Sequence, residues 1–176
     1  MSWGKLLQPD LVLGESILSL TPELLERYQI QGLVLDVDDT LLPISSVQMS
    51  PVLRQQIARL REMGQIWLVS NNINENRIGA IARSLDVPYQ AFAGKPFRRK
   101  LRKAVAAMDL PPERVAMVGD RLFTDVLAGN RLGMFTILVE PMVEPGQAAR
   151  NSLMRTIEVW FSQALGASLG THNKTS

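Results

Sequence analysis

Residues 32–43 read GLVLDVDDTLLP. The apolar run Leu33-Val34-Leu35, entered through Gly32, has the composition of a short strand buried on both faces of a parallel sheet. It runs straight into Asp36, Asp38 and Asp39, three carboxylates close enough to repel. A cluster of this kind costs stability unless something cationic sits among its members. Both the fold and the chemistry depend on what the rest of the chain brings to the end of this strand.

Downstream, strand and helix signals alternate. Ser50-Pro51 is a cap followed by a first-turn proline, and Val52, Leu53, Ile57, Leu60 and Met63 keep helical spacing until Gly64. QIWLVS (65–70) is a second apolar strand, and Asn74 caps a helix carrying Ile78, Ile81, Ala82 and Leu85 on one side. VPYQAFA (87–93) is a weaker strand with an edge-type proline. Phe97, Leu101, Ala104, Val105 and Met108 mark a third helix, closed by Pro111-Pro112. RVAMVGD (114–120), a helix to Gly133 and MFTILVE (134–140) complete the series. Alternation with short joints predicts right-handed βαβ units, hence an α/β, Rossmann-like three-layer fold on a five-stranded parallel sheet. One domain over residues 1–170 accounts for the length. Residues 1–31 form an N-terminal flank with one helix capped at Thr21, 150–166 a C-terminal helix started by Asn151, and 167–176 a disordered tail.

The composition removes several chemistries. No cysteine is present, which excludes disulfides, thiolate metal sites and cysteine nucleophiles. The single histidine, His172, lies in the polar tail. Lys+Arg 19 against Asp+Glu 17 gives a net charge of +2, so no global field points to nucleic acid. Neither a membrane span nor the long apolar core of a signal peptide is evident, and a cytoplasmic protein is expected. The chemistry therefore falls to carboxylates, Ser/Thr, Lys/Arg and a hard metal ion.

In an open parallel sheet, ligands bind beyond the carboxyl ends of the strands, where strand order reverses. The polar residues expected there are Asp36, Asp38 and Thr40, then Ser70 and Asn71, then Lys95, then Gly119, Asp120 and Asp125. Carboxylates from two strands form a hard oxygen site suited to Mg²⁺, while a lysine and a hydroxyl suit phosphate oxygens. Any one of these acids could be an ordinary turn former; the set is what carries the reading.

The set also resembles a known family. DVDDT at 36–40 matches the DxDx[TV] signature of the haloacid-dehalogenase-like (HAD) hydrolases, Ser70 their second motif, Lys95 their third, and GDRLFTD at 119–125 their fourth. The resemblance implies that Asp36 is a nucleophile forming an aspartyl-phosphate and that Asp38 is the acid/base. It further implies that Ser70, Asn71 and Lys95 bind the phosphoryl group. Mg²⁺ would be held by Asp36, the backbone carbonyl of Asp38 and Asp120, with Asp125 orienting from behind. About thirty residues separate Thr40 from Ser70 and twenty-four lie between Ser70 and Lys95, each interval used up by one helix and one strand, so no cap domain fits. With the leader and the run to Pro141, this is similar to the capless subclass III phosphatases related to phosphatidylglycerophosphate phosphatase. There the residue at Asp39 is usually Asn.

That similarity implies a lipid headgroup as the phosphorylated substrate, in phospholipid synthesis, and peripheral contact with an anionic membrane. Alternatives are a phosphoprotein, a soluble sugar or nucleotide phosphate, or a receiver-like phosphoacceptor module. The last places its acid pair and its acceptor after other strands than those used here. The basic run KPFRRKLRK (95–103) reads either as a solvated helix face or as a reader of anionic surface. The apolar stretch SWGKLLQPDLVLGESIL and the pair Trp160-Phe161 read as core rather than as a lipid-docking surface.

Overall fold

The computed structural model describes residues 3–91, 93–94 and 99–142. Among these residues six parallel strands are present: β1 (Leu11–Val12), β2 (Gly32–Asp36), β3 (Gln65–Val69), β4 (Tyr89–Gln90), β5 (Val115–Gly119) and β6 (Phe135–Leu138). Their order across the sheet is β1-β6-β5-β2-β3-β4. From β2 the chain steps outward through β3 to β4, then returns to the other side of β2 for β5 and β6. The order thus reverses between β2 and β5, and the acids at the ends of those two strands meet at that crevice.

β2 is buried along its whole length, as its composition requires. Leu33 and Leu35 point to one face, where helices α3 (Pro51–Met63) and α4 (Glu75–Leu85) supply Leu53, Ile57, Leu60, Ile78 and Ile81. Val34 points to the other, against Leu101, Ala104 and Val105 of α5 (Arg99–Ala107) and Ala128 of α6 (Leu127–Leu132). The result is the expected three-layer sandwich. Local chemistry sets the helix starts: the Ser50 hydroxyl accepts from the Leu53 N–H at 3.2 Å, and Asn74 Oδ1 accepts from the Arg77 N–H at 3.1 Å. α3 stops at Gly64, where a side chain is impossible because its Cβ would lie 1.9 Å from the Gln31 carbonyl oxygen. No cap domain interrupts the connections among the described residues.

The strand count differs from the expected five. The N-terminal flank holds a short helix α1 (Trp3–Leu6) and α2 (Pro22–Arg27), and between them β1 adds a sixth, edge strand in register with β6 (Leu11 beside Ile137, Val12 beside Leu138). Two residues carry no periodicity, so pattern alone does not reveal them. Their position is fixed instead by this pairing and by Asp10, whose Oδ2 accepts from the Thr136 N–H at 2.8 Å and its hydroxyl at 3.0 Å. Of the outer strand expected over 87–93, the described residues form strand at Tyr89–Gln90, with Pro88 at its entry. Leu7, Ile17 and Leu20 of the apolar flank are fully buried in the core, while Trp3 and Leu18 stay exposed. The expected helix over 150–166, the Trp160-Phe161 pair and the tail 167–176 lie outside the described residues, as does Lys95. No described helix is long and apolar enough to cross a membrane.

Candidate active site

Beyond Asp36 the chain turns tightly. Val37 sinks into the core, and its carbonyl accepts from the Leu41 and Leu42 N–H groups at 3.1 and 3.2 Å. Asp39 takes the left-handed conformation at φ +64°, which Asn and Asp tolerate best after glycine. That requirement explains an Asn or Asp at this position. The turn leaves Asp36 and Asp38 facing a common cleft of about 380 Å³, lined also by Ile44, Asn71, Asn72, Ile73, Arg121, Thr124 and Asp125.

On one side of the cleft carboxylates converge. Asp36 ends β2, Asp120 follows β5, and Asp125 lies in a wide π-helical turn, Leu122–Val126. All three are buried, and one oxygen from each lies within 4.8 Å of the others. Gly119 makes this approach possible, since a Cβ there would meet the Asp125 carboxylate at 2.3 Å. The Thr40 hydroxyl donates to Asp120 Oδ1 at 3.1 Å, joining the two strand ends, and the Arg121 N–H donates to Asp125 Oδ2 at 3.2 Å. Burial, then the charge of Asp125, push Asp120 up to about 7 despite the opposing effects of Arg121 and Thr40. Arg121 is itself raised: burial works against its charge, but Asp120, Asp36, Asp39 and Asp125 outweigh it. Its guanidinium lies 3.6 Å from Asp39 Oδ2 and 3.8 Å from Asp120 Oδ2. Three converging oxygen donors, one of them driven toward protonation, fit a hard divalent cation.

On the other side Asp38 is held by donors. Arg77 Nη1 donates to Asp38 Oδ1 at 2.6 Å, the Ser70 hydroxyl to Oδ2 at 2.5 Å, and Asn72 Nδ2 reaches Oδ1 at 3.4 Å. Arg77 is only 7% exposed, and its remaining donors go to carbonyls of the loop after β2, Nε to Ser46 and Nη2 to Pro43, both at 3.0 Å. Ser70, expected to bind phosphoryl oxygens, is fully buried with its hydroxyl on Asp38. Asn71 is exposed on the cleft wall.

Five of the expected residues therefore come together with Asn71 around one cleft: Asp36, Asp38, Ser70, Asp120 and Asp125. Asn72, which with Asn71 could bind phosphate or cap a helix, instead reaches Asp38 and the Asn74 N–H, and Arg77 and Arg121 are additions of the fold. Arg77 did leave a signal, being a cation in the first turn of a helix, where the dipole disfavours it, and on that helix's buried stripe. Both anomalies imply an anionic partner.

A family model of HAD-hydrolase-like domains matches residues 92–153. A curated relative, "Probable phosphatase YqeG" of Bacillus subtilis (strain 168), is 36% identical over 129 residues, covering 73% of this chain and 74% of its own length. The chain belongs to the HAD-like hydrolases. As a HAD-type phosphatase it is a phosphoric monoester hydrolase. Another relative, "Phosphatidylglycerophosphate phosphatase 1, chloroplastic" of Chlamydomonas reinhardtii, is 30% identical over 151 residues, which is 81% of this chain and 56% of that protein. The HAD fold is shared at 12% identity with a crystal structure of an uncharacterized protein from Listeria monocytogenes serotype 4b, at a TM-score of 0.52 over 73% of this chain and 99% of that one.

Proposed function

We propose that this HAD phosphatase is a single-domain, Mg²⁺-dependent enzyme that hydrolyses a lipid-borne phosphomonoester, phosphatidylglycerophosphate, through an aspartyl-phosphate on Asp36. The observation that carries the reading is the contrast within one cleft. Three acids converge at the sheet's switch point, and a fourth, two residues along the chain, is latched beside them.

Asp36 attacks phosphorus through a carboxylate oxygen as the ester P–O bond breaks, and Asp38 gives its proton to the departing alkoxide. Asp38 then takes a proton from water, whose oxygen attacks phosphorus and releases Asp36 and inorganic phosphate. Splitting one transfer into two in this way lowers each barrier. Asp36, the Asp38 carbonyl and Asp120 would hold Mg²⁺, with Asp125 orienting them. When bound, the ion screens the nucleophile from the phosphate dianion. Arg77, Ser70 and Asn72 keep Asp38 aimed without touching substrate. Lys95 and Asn71 are assigned to the phosphoryl oxygens.

The lipid assignment is supported by the relatives named as phosphatidylglycerophosphate phosphatases, and the cleft is left without a cap among the described residues. The place of work is then the cytoplasmic face of an anionic membrane, contacted peripherally.

Phosphate release with Mg²⁺ tests this reading, comparing phosphatidylglycerophosphate in mixed micelles with sugar phosphates, nucleotides and phosphopeptides. The lipid is expected to be the best substrate, with EDTA abolishing turnover and Ca²⁺ inhibiting it. A preferred phosphopeptide or sugar phosphate would replace the lipid assignment. EDTA-resistant turnover would remove the metal.

A further inference from the structure

Large aliphatic side chains exposed on a surface are ordinary when scattered singly. Here two of them line the catalytic cleft and a third lies on the loop of one of these. Ile44 is 51% exposed, Val47 57% and Ile73 78%. Ile44 and Ile73 line the cleft that holds Asp36 and Asp38, one on the loop after β2 and one on the loop after β3. Val47 lies on the same loop as Ile44.

Both lips are held in place. Arg77 binds the carbonyls of Pro43 and Ser46, the residues that bracket Ile44 and adjoin Val47. Asn72 Oδ1 accepts from the Asn74 N–H at 2.8 Å, closing the turn whose middle residue is Ile73. The exposure of these side chains is therefore built into the loops, and water covers them at a standing cost of apolar hydration.

Cations stand at this edge of the sheet as well, beside the exposed Glu75 that opens α4. α5 starts from the same edge of the sheet, and Arg99, Arg102 and Lys103 on it are exposed, while Lys100 turns inward to donate to the Ala91 carbonyl at 3.1 Å. A rim that combines aliphatic side chains with cations matches the interface of an anionic phospholipid bilayer, where both kinds of group gain. A sugar phosphate would bring polar groups against the isoleucines and lose water there without replacement.

We propose that Ile44, Val47 and Ile73 form an apolar lip that enters the headgroup region of an anionic bilayer and seats the cleft face-down over a lipid-borne phosphate. This rests on the lipid substrate proposed above and extends it, naming the surface by which the enzyme reaches that substrate. Entry of the lip also displaces water from the cleft mouth, a task performed by a cap domain where one exists.

The chain has no cysteine, so single-cysteine variants report cleanly. In the full-length protein, Ile73→Cys carrying an environment-sensitive fluorophore is mixed with phosphatidylglycerol/phosphatidylcholine vesicles. Glu113→Cys, beyond the opposite edge of the sheet, serves as control. The expected result is a blue shift at position 73 and none at 113. In parallel, the triple variant Ile44→Ser/Val47→Ser/Ile73→Ser is compared with wild type on phosphatidylglycerophosphate in the same vesicles and on p-nitrophenyl phosphate. The ratio of vesicle to soluble turnover should fall about tenfold or more, as expected when several aliphatic contacts are lost. Wild-type hydrolysis of the lipid with no shift at 73 and an unchanged ratio would overturn the lip while leaving the substrate standing. Equal losses on both substrates would overturn it too, by assigning these side chains to the fold. A shift at 73 without lipid hydrolysis would keep the docking surface and remove the substrate. Neither vesicle binding nor lipid hydrolysis by the wild type would overturn both.

Discussion

Asp36 and Asp38 are two residues apart in sequence, line the same cleft and live in opposite surroundings. Asp36 belongs to a knot of acids: Asp120 and Asp125 approach it, burial strips their water, and Asp120 is driven up to about 7. Asp38 is surrounded by donors, with Arg77 at 2.6 Å, the Ser70 hydroxyl at 2.5 Å and Asn72 at 3.4 Å. Carboxylates brought together against their mutual repulsion suit a site completed by a cation. A carboxylate pinned on both oxygens by rigid donors suits a group that must be aimed. The difference teaches that the two acids divide the reaction between them, and that the division is laid down by the elements behind them. β5 and the π-helical turn stand behind Asp36, the end of β3 and the first turn of α4 behind Asp38.

The comparison breaks most severely at the acids themselves. Asp36→Asn should lower kcat by about four orders of magnitude or more, as loss of a nucleophile does, while the protein keeps its fold and holds or gains stability because one repelling charge is gone. Asp38→Asn should cost about 10²–10⁴-fold, most for esters with poor leaving groups and least for p-nitrophenyl phosphate, which leaves without a proton. Steady-state rates over a leaving-group series measure this. Asp36→Asn should be flat across the series and Asp38→Asn steep. A flat response for Asp38→Asn would remove its acid role.

Arg77 tests whether the latch matters to the chemistry or only to the fold. Arg77→Met should reduce kcat by about 10- to 100-fold, the usual effect of losing a partner that orients a reacting group, with KM for p-nitrophenyl phosphate nearly constant. Arg77→Lys should recover part of kcat, since an ammonium can reach Asp38 but cannot also span the Pro43 and Ser46 carbonyls. Loss of stability with kcat per folded molecule unchanged would make Arg77 purely structural.

The acid knot should also be visible in stability without substrate, as the smallest of these effects. Folded Asp120 is raised from 3.8 to about 7, so between those pH values the folded protein binds more protons than the unfolded chain. By linkage, the metal-free protein must lose stability as pH rises through that window and level off above it, by on the order of a few kcal/mol at most. Asp120→Asn removes this term, so its stability relative to wild type should improve between pH 5 and pH 8. Urea midpoints at both values, with EDTA, give the comparison. Added Mg²⁺ should restore wild type at pH 8 and do little for the variant.

Much of this could be read before any coordinates. β2 announced itself through Leu33-Val34-Leu35 running into acids, and the caps at Ser50 and Asn74 act as their residue types suggest. Those signals are local, and local signals survive folding. β1 was invisible because two residues have no period; backbone pairing with β6 and the side chain of Asp10, meeting Thr136 across 126 positions, fix it in the sheet. The environment of Asp38 was hidden for the same reason. Arg77 is 39 residues away, and its pairing arises only when β3 delivers Ser70 and α4 to the end of β2. Ile44, Val47 and Ile73 drew no reading, since they sit in loops where neither helical nor strand spacing applies. Long-range pairing, not residue type, separated what was legible from what was not.

The division of labour between Asp36 and Asp38 is tested most directly by rapid-quench kinetics on Asp38→Asn with p-nitrophenyl phosphate and Mg²⁺. This substrate needs no proton to leave, so the first step survives while activation of water in the second fails. A burst of p-nitrophenol approaching one equivalent per site is predicted. It should be accompanied by a phosphoryl group trapped on the protein and mapped by mass spectrometry to Asp36, and both signals should vanish in Asp36→Asn/Asp38→Asn. A burst that persists in the double variant, or a phosphoryl group mapped to any other residue, would contradict the account.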